Sequence, residues 1–371
     1  MKNDVCFLVR AFSGGGAQRD AVLLANGLAN AGLSASIAVL DASGPLRSIV
    51  DPKVTIHDLG RGKKLRMAFA LPRLLSSLAS SNPTVLIAAE ASGNVLASIA
   101  VQLLPKAKRP RLVLREVASP LQARTNDPYA QNRVAYRLAP MFYPRADLVI
   151  ALTEGVRLDL INHFRVPDQR AVVLGSNAVL TQSLAEIYAL ECLVEPGLLV
   201  AVGRLSKEKG FDILLNAVAL LRERRSIKLI IVGEGPDRPD LEAQIHRLNL
   251  GEIVELVGFQ DDPGLFLKRA EVFVSASRHE GLGNAIIEAL SWGLPVVSTD
   301  APYGPREVLQ NGRWGVLVPV DDPHALADAI EAELLQYHDN QRGKERAADF
   351  TVENAARALI NALENIGIRF H

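Results

Sequence analysis

The sequence predicts an α/β protein built from two doubly wound parallel sheets. Its 371 residues are enough for two domains. Short runs rich in Val, Ile and Leu alternate with segments of helical periodicity, and the alternation forms two series separated by a poorly patterned stretch near 176–197. Alternation of this kind is typical of βαβ units, in which parallel strands are covered on both faces.

The first series begins with the apolar run VCFLVRAF at 5–12, which predicts a buried strand. An amphipathic helix over 16–32, ending at Gly32, follows it. Further strands are predicted at 34–40, 84–90, 111–117, 147–153 and 170–177. We therefore assign residues 1–178 to a first domain.

The second series predicts a second domain over 179–349. Its strands are predicted at 198–205, 228–235, 253–259, 272–277, 295–299 and 315–319, and its helices at 210–224, 237–248, 284–292 and 323–337. One more amphipathic helix is predicted over 350–366. Since ligands bind outside the carboxyl ends of strands in open parallel sheets, two such sheets facing each other are expected to form a cleft.

Composition excludes several classes of protein. Lys and Arg total 41 and Asp and Glu total 41, so no global field favours nucleic acid. Cys6 and Cys192 lie far apart, and the seven histidines lack metal-ligand spacing, so we predict neither a disulfide framework nor a metal site. No run is long enough to span a membrane and none is typical of a signal peptide, so we expect a cytoplasmic protein.

A glycine-rich turn follows the first predicted strand. The stretch SGGGAQ contains Gly14, Gly15 and Gly16 at the predicted start of a helix. Such a turn lets the backbone approach an anion at the helix N-terminus, although it is also consistent with a tight structural turn. The spacing is neither G-x-G-x-x-G nor a Walker motif, which disfavours a nicotinamide oxidoreductase.

Two cations follow the first strand of the second domain. Arg204 and Lys209 lie in GRLSKEKGFD at 203–212, beside a predicted helix start. A guanidinium and an ammonium at this position suit a pyrophosphate, although both residues are equally consistent with solvated surface charges. The loop after VGF, with Phe259, is a weaker candidate for the edge of a planar base.

Two carboxylates flank a second glycine-rich turn. In HEGLGNAIIEAL, Glu280 belongs to the predicted loop and Glu288 to the second turn of the following helix. A carboxylate can accept two directed hydrogen bonds, so Glu288 suits a ribose diol and Glu280 a second polyol. Solvated surface acids and a hydrolytic carboxylate pair remain the alternatives.

Together these motifs resemble the retaining glycosyltransferases of the GT-B fold, specifically family four. The resemblance covers residues 198–320 most strongly, through GRLSKEKGFD, VGEGP, VGF, EGLGNAIIEALSWGLPVVST and YGPREVLQNGRWGVLVP. It implies two Rossmann-like domains facing each other across a cleft. The first would lie on the acceptor side, with the C-terminal helix at 350–371 packing back on it, and the second would bind the donor.

The resemblance also implies a role for each motif. Arg204 and Lys209 would bind the donor diphosphate and stabilise the leaving nucleotide, Glu280 would contact the transferred sugar, and Glu288 would hold the ribose. Contacts to phosphate, sugar or base are implied for Gly14, Gly15, Gly16, Phe259, Leu282, Gly283 and Asn284. The implied mechanism is front-face transfer with retention and no required metal.

The implied donor is a UDP-activated hexose or N-acetylhexosamine, as the stretch YGPRE at 303–307 suggests. The acceptor would be a polyprenyl-diphosphate-linked or lipopolysaccharide glycan at the cytoplasmic face of the inner membrane. The basic segment 61–73 is either a peripheral membrane contact or a solvated helix face. Two residues depart from the family pattern: Glu116 lies where relatives have a histidine nearby, and Gly283 replaces a proline. A UDP-sugar 2-epimerase and an inactive nucleotide-sugar-binding scaffold remain alternatives.

Overall fold

A computed structural model describes residues 4–13, 16–62, 69–117, 119–126, 130–175, 177–180, 187, 194–260, 262–336 and 341–370. The chain divides into two compact units. The N-terminal unit comprises Met1–Thr181 with Thr351–His371, and the C-terminal unit comprises Gln182–Phe350. Each unit contains one parallel sheet with helices between successive strands, which confirms the predicted pair of doubly wound α/β domains.

The N-terminal unit is built on a seven-stranded sheet of order β3-β2-β1-β4-β5-β6-β7. Its strands are β1 (Val5–Ala11), β2 (Ala35–Asp41), β3 (Thr55–Asp58), β4 (Val85–Ala89), β5 (Arg111–Glu116), β6 (Leu148–Ala151) and β7 (Ala171–Val173). β1 pairs in parallel with both β2 and β4, so the strand order reverses between β1 and β4.

Helices cover this sheet. They are α1 (Gly16–Asn30), α2 (Ala70–Ser81), α3 (Ala91–Leu103), α4 (Pro120–Asn126), α5 (Ala130–Phe142) and α6 (Glu154–Phe164). The C-terminal helix, which we number α14 (Val352–Asn365), packs on α1, and its Ala355, Ala356 and Leu359 enter the core of this unit. Gly27 permits this approach, because a Cβ there would lie 2.8 Å from the Cβ of Ala356.

The C-terminal unit has a six-stranded sheet of order β10-β9-β8-β11-β12-β13. Its strands are β8 (Leu198–Val202), β9 (Lys228–Val232), β10 (Val254–Gly258), β11 (Val272–Ser275), β12 (Val296–Thr299) and β13 (Val316–Val318). Its helices are α7 (Phe211–Leu221), α8 (Arg238–Arg247), α9 (Gly264–Leu267), α10 (Asn284–Ser291), α11 (Gly304–Val308), α12 (Pro323–Leu335) and α13 (Gln341–Ala347).

Two local differences from the predicted elements have simple causes. β3 was not predicted because its sequence, TIHD, is half polar, as suits a strand at the edge of the sheet. The strand predicted over 170–177 pairs only over Ala171–Val173, at the opposite edge. Among the described residues, no helix is both long and apolar enough to cross a bilayer.

Candidate functional site

The candidate site lies where the strand order of the C-terminal sheet reverses. β8 and β11 are hydrogen-bonded neighbours, but β9 and β10 extend the sheet on one side while β12 and β13 extend it on the other. In open parallel sheets the crevice outside the carboxyl ends of the strands at such a switch point is the usual ligand site. The first loop, 203–210, carries Arg204 and Lys209, and the second, 276–283, carries Glu280.

A glycine allows these two loops to touch. Gly210 has φ +62°, and a Cβ there would lie 2.0 Å from the carbonyl oxygen of Ala276. Only glycine meets both conditions, because that backbone contact cannot yield as a flexible side chain would. The backbone N–H of Arg278 donates a 2.7 Å hydrogen bond to the carbonyl of Glu208, which fixes the two loops side by side.

The contact brings Lys209 and Glu280 together. Lys209 Nζ lies 2.5 Å from Glu280 Oε2, and Ser277 Oγ donates to the same oxygen at 3.0 Å. The Lys209 side chain is 26% exposed and that of Glu280 13%. The ion pair is therefore sheltered but reachable by a ligand.

Arg204 belongs to the same loop as Lys209 and lies two residues after β8 ends. It is exposed, and its guanidinium makes no hydrogen bond or ion pair with any residue that the structure describes. A guanidinium exposed in this way is available to an anionic ligand.

The turn at 281–284 is shaped by two more glycines. Gly283 precedes α10 with φ +95°, and Gly304 packs so closely on the preceding loop that a Cβ there would lie 2.4 Å from the carbonyl oxygen of Leu282. Asn284 is the first residue of α10, which has neither a side-chain cap nor an acid in its first turn. The amino end of this helix therefore keeps its positive dipole end without a side-chain cap.

The two remaining predicted residues of this unit, Glu288 and Phe259, lie on other elements than the Lys209–Glu280 ion pair. Glu288 is half-buried on the second turn of α10, between the buried residues Ile287 and Ala289. Phe259 directly follows β10 and is 72% exposed, after Gly258 with φ +76°. An aromatic ring that exposed is available to stack on a planar ligand.

Arg278 is a site residue that the sequence analysis missed. Its guanidinium donates to both carboxylate oxygens of Asp212 at 2.8 and 2.7 Å, to Asp321 at 2.6 Å and to the carbonyl of Lys207 at 2.9 Å. It therefore ties the turn that carries Lys209 to the loop that carries Glu280. Its position two residues before Glu280 was the available signal, but no motif named its partners.

The same contacts shift the pKa values of this pair. Burial works to raise the pKa of the Asp212 carboxyl, but the hydrogen bonds and charge of Arg278 outweigh burial, so its pKa lies below the usual value. Hydrogen bonding to Asp212 raises the pKa of the Arg278 guanidinium. Both groups are therefore charged at neutral pH, and their bidentate geometry is the strong form of such a pair.

A cavity of about 450 Å³ lies beside Arg278. Its charged lining comprises Asp212, Asp237, Asp240, Lys207 and Arg278, and it contains none of the predicted donor residues. The cavity therefore does not coincide with the predicted donor site.

Only some of the predicted residues of the N-terminal unit lie within the described residues. Gly14 and Gly15 lie outside the described residues, as do 63–68 of the basic segment, whereas Gly16 begins α1. Glu116 is fully buried, and its carboxylate accepts hydrogen bonds from Tyr136 at 2.8 Å and Tyr143 at 2.9 Å. These contacts place Glu116 in the polar interior of this unit.

Two family models match the chain. "Glycosyl transferase 4-like domain" matches residues 15–176, and "Glycosyl transferases group 1" matches residues 196–336. The second match contains all the predicted residues of the C-terminal unit, from Arg204 to Glu288.

Curated relatives carry transferase names. The chain is 31% identical over 259 residues, which are 68% of this chain and 69% of the relative, to the N-acetylgalactosamine-N,N'-diacetylbacillosaminyl-diphospho-undecaprenol 4-alpha-N-acetylgalactosaminyltransferase of Campylobacter jejuni. It is 33% identical over 171 residues to the lipopolysaccharide core biosynthesis glycosyltransferase LpsE of Rhizobium meliloti, covering 46% of this chain and 49% of that protein.

The fold has solved counterparts. HepE of Anabaena, in complex with UDP and glucose, superposes with a TM-score of 0.76 at 20% identity, over 98% of this chain and 99% of that one. At this identity the likeness shows the fold alone. Fold, family matches and relatives agree with the predicted resemblance, and the chain belongs to the group 1 glycosyltransferases of the GT-B fold.

Proposed function

We propose that this glycosyltransferase moves a hexose or N-acetylhexosamine from a UDP-sugar to a hydroxyl of a lipid-linked or lipopolysaccharide glycan, with retention of configuration. The observation that carries the donor site is the Lys209–Glu280 ion pair beside the unpaired Arg204, at the switch point of the C-terminal sheet. A UDP-sugar offers a diphosphate for the two cations and hydroxyls for the carboxylate.

Each side chain has a defined task in this proposal. Arg204 and Lys209 hold the diphosphate and stabilise the charge that develops as the nucleotide leaves. Glu280, already fixed by Lys209 and Ser277, accepts hydrogen bonds from the transferred sugar. Glu288 holds the ribose diol and Phe259 edges the base.

Backbone groups complete the donor site. The N–H groups around Leu282, Gly283 and Asn284 contact phosphate or sugar at the positive end of α10. For the turn at Gly14, Gly15 and Gly16 we retain the phosphate-binding role that the resemblance implies. Arg204 and Lys209 supply the positive charge at the leaving group, so we propose that no metal is required.

The acceptor proposal rests on the relatives. The Campylobacter jejuni protein is named for an undecaprenol-diphosphate-linked acceptor and the Rhizobium meliloti protein for lipopolysaccharide core biosynthesis. With such an acceptor, we propose that the enzyme acts at the cytoplasmic face of the inner membrane. The basic segment 61–73 is its proposed peripheral contact, and nucleic acid is not a proposed partner.

A thermal-shift titration tests the donor. A ligand that binds only the folded protein raises Tm, and the rise grows with the ratio of free ligand to Kd. We expect UDP and its sugars to raise Tm equally with Mg²⁺ and with EDTA. A response only to GDP or ADP compounds would refute the uridine assignment, and no response to any nucleotide would refute the donor site itself.

Product analysis tests the reaction. The enzyme is incubated with the responding UDP-sugar and an undecaprenyl-diphosphate-linked oligosaccharide, and the new linkage is read by NMR. An axial linkage from an axial donor supports retention, whereas an equatorial one contradicts it. Release of free UDP with an epimerised sugar in the absence of acceptor would instead indicate a 2-epimerase.

A further inference from the structure

Glu90 has a backbone conformation that residues other than glycine rarely adopt. It lies between β4 and α3, with φ +73° and ψ +142°. Asn82 and Arg165, which end α2 and α6, also have positive φ, but their ψ values of 58° and 23° belong to the common left-handed helical region. The two angles of Glu90 lie close to a region that is occupied almost only by glycine, so its backbone is strained.

The strained residue makes specific side-chain contacts. Arg10 Nε, on β1, lies 3.7 Å from Glu90 Oε2. Gln18, on α1, donates a hydrogen bond from its side-chain amide to the other carboxylate oxygen, and it is only 5% exposed. Glycine at position 90 would relieve the strain but could make neither contact. Strained residues that their surroundings hold in place cluster at ligand sites, so Glu90 is a candidate for ligand binding.

This residue lies at the switch point of the N-terminal sheet. β1 and β4 are hydrogen-bonded neighbours, and the strand order reverses between them. Arg10 is the last residue but one of β1, and Glu90 directly follows β4. Both charges therefore lie at the carboxyl edge of the sheet, where open parallel sheets bind ligands.

Arg10 and Glu90 can be reached by a ligand. Their side chains are 25% and 17% exposed. The charges at the end of the neighbouring strand β5 are buried instead, since Arg115 is 1% exposed and pairs with Asp20, while Glu116 is fully buried. Of these charges, Arg10 and Glu90 are the ones that a substrate can contact.

The chemistry of this pair suits a neutral polyol. A carboxylate accepts directed hydrogen bonds and a guanidinium donates them, so together they match the hydroxyl groups of a sugar. The two charges compensate each other, whereas a phosphate or a diphosphate is attracted to a site with net positive charge. The pair therefore favours a sugar over the diphosphate of a lipid-linked substrate.

We propose that Arg10 and Glu90 bind the terminal sugar of the acceptor. The Glu90 carboxylate, fixed by Gln18, accepts hydrogen bonds from two neighbouring hydroxyls, and Arg10 donates to a sugar oxygen. Neither residue forms a covalent bond or exchanges a proton. This assignment rests on the glycosyltransferase function proposed above, and it names the part of the acceptor that the switch point of the N-terminal sheet recognises.

Initial-rate kinetics of Glu90→Gln test the assignment. Glutamine keeps the shape of the side chain but loses its charge. With an undecaprenyl-diphosphate-linked oligosaccharide as the varied substrate, we expect KM for the acceptor to rise about tenfold, as for the loss of a charge-assisted hydrogen bond, and kcat to change less than about twofold. An unchanged acceptor KM would overturn the proposal.

Two inhibitors distinguish the sugar from the diphosphate. The free oligosaccharide, without lipid diphosphate, should compete with the acceptor and should inhibit Glu90→Gln about tenfold more weakly than wild type. Undecaprenyl diphosphate alone should inhibit both enzymes equally. If the variant instead loses inhibition by undecaprenyl diphosphate and keeps inhibition by the oligosaccharide, the assignment to the sugar is wrong.

Asp147→Asn is the matched control. Asp147 also pairs with an arginine, Arg111 at 2.7 Å, but it directly precedes β6 and so lies at the opposite, amino edge of the same sheet. This variant should keep the wild-type acceptor KM. If it raises the acceptor KM as much as Glu90→Gln does, the effect is not specific to the switch point and the proposal fails.

Two readouts that need no acceptor separate this proposal from the donor site. The UDP-induced rise in Tm and the slow hydrolysis of the donor in the absence of acceptor should be the same in Glu90→Gln and in wild type. If both fall in the variant, Glu90 acts through the fold or the donor site and the proposal is overturned. Wild-type protein that responds to no nucleotide, or that forms no transfer product, would refute the proposed function and this assignment with it.

Discussion

Replacing Arg278 by Gln should uncouple the two loops of the donor site while leaving every proposed ligand contact in place. Arg278 makes four hydrogen bonds, two to Asp212 and one each to Asp321 and the carbonyl of Lys207. Glutamine is shorter, carries no charge and cannot reproduce the bidentate pair. The turn that carries Lys209 would then be held mainly by its backbone contacts with the Ala276 and Arg278 segments.

The loss of stability follows from the exposure of the partners. A sheltered charge-assisted hydrogen bond contributes roughly 1.5–3 kcal/mol, whereas an exposed ion pair contributes about 0–1 kcal/mol. The Arg278 side chain is 24% exposed, but those of Asp212 and Asp321 are 44% and 54% exposed. We therefore expect Arg278→Gln to lower the free energy of unfolding by only about 1–3 kcal/mol.

The loss of activity should exceed what that destabilisation explains. A displacement of about 1 Å at a catalytic group can cost on the order of a hundredfold in rate. We expect kcat to fall between about tenfold and a hundredfold with KM for the donor changed less, since binding contacts remain. The assay is initial-rate transfer at a temperature at which unfolding curves show the variant to be folded.

Arg224→Gln is the matched control. Arg224 also bridges two carboxylates, Asp328 and Glu331, but this contact joins α7 to α12 rather than the two site loops. Its loss should lower stability slightly and leave kcat unchanged. The reasoning is refuted if Arg278→Gln keeps the wild-type kcat, or if both variants lose activity in parallel.

Three further outcomes follow from the site. Glu288→Ala should weaken UDP binding about tenfold in a calorimetric titration, because a ribose diol loses its carboxylate partner; unaltered affinity would remove Glu288 from the site. Gly304→Ala should destabilise by about 1–3 kcal/mol and abolish the UDP-induced Tm shift, because its Cβ collides with the loop ahead of α10, whereas Gly251→Ala, with open space at its Cβ, should do neither. The difference in free energy of unfolding between wild type and Arg278→Gln should shrink below about pH 4. Arg278 lowers the pKa of Asp212, so the charged carboxylate stabilises the folded protein above its unfolded pKa, and this stabilisation is lost as Asp212 is protonated. A difference that stays constant down to pH 3 would contradict this linkage.

Much of the fold could be predicted because parallel strands have a simple signature. Buried on both faces, β1, β4 and β8 are continuous apolar runs, and each was predicted within a few residues of its position. Edge strands lack that signature, which is why β3 was missed and β7 was overextended. Their pairing depends on the neighbouring strand rather than on their own sequence.

The sequence predicted which residues belong to the candidate site but not which of them contact one another. Lys209 and Glu280 were predicted in separate motifs 71 residues apart, and nothing in either motif indicates that they form an ion pair. Their pairing follows from the Gly210–Ala276 contact, which depends on the parallel packing of β8 and β11. The Arg278 network was missed for the same reason, because its partners Asp212 and Asp321 lie on other elements.

Glu116 shows that a residue near a functional motif in the sequence can have a structural environment instead. Its sequence neighbourhood placed it near a position that is functional in relatives, but the fold turns its carboxylate towards Tyr136 and Tyr143 in the interior. Burial and the charge of Glu116 raise the pKa of Tyr143 well above its usual value, so the tyrosine stays a hydrogen-bond donor. A sequence pattern cannot show on which side of a strand end a polar side chain will be satisfied.

Calorimetric titration with UDP and with uridine tests the claim that Arg204 and Lys209 bind the diphosphate at the switch point of the C-terminal sheet. Arg204→Gln should weaken UDP about tenfold to a hundredfold, the loss expected for charge-assisted hydrogen bonds, and leave uridine unchanged, while Arg224→Gln should alter neither. Equal weakening of UDP and uridine, or no change in UDP affinity, would contradict the claim.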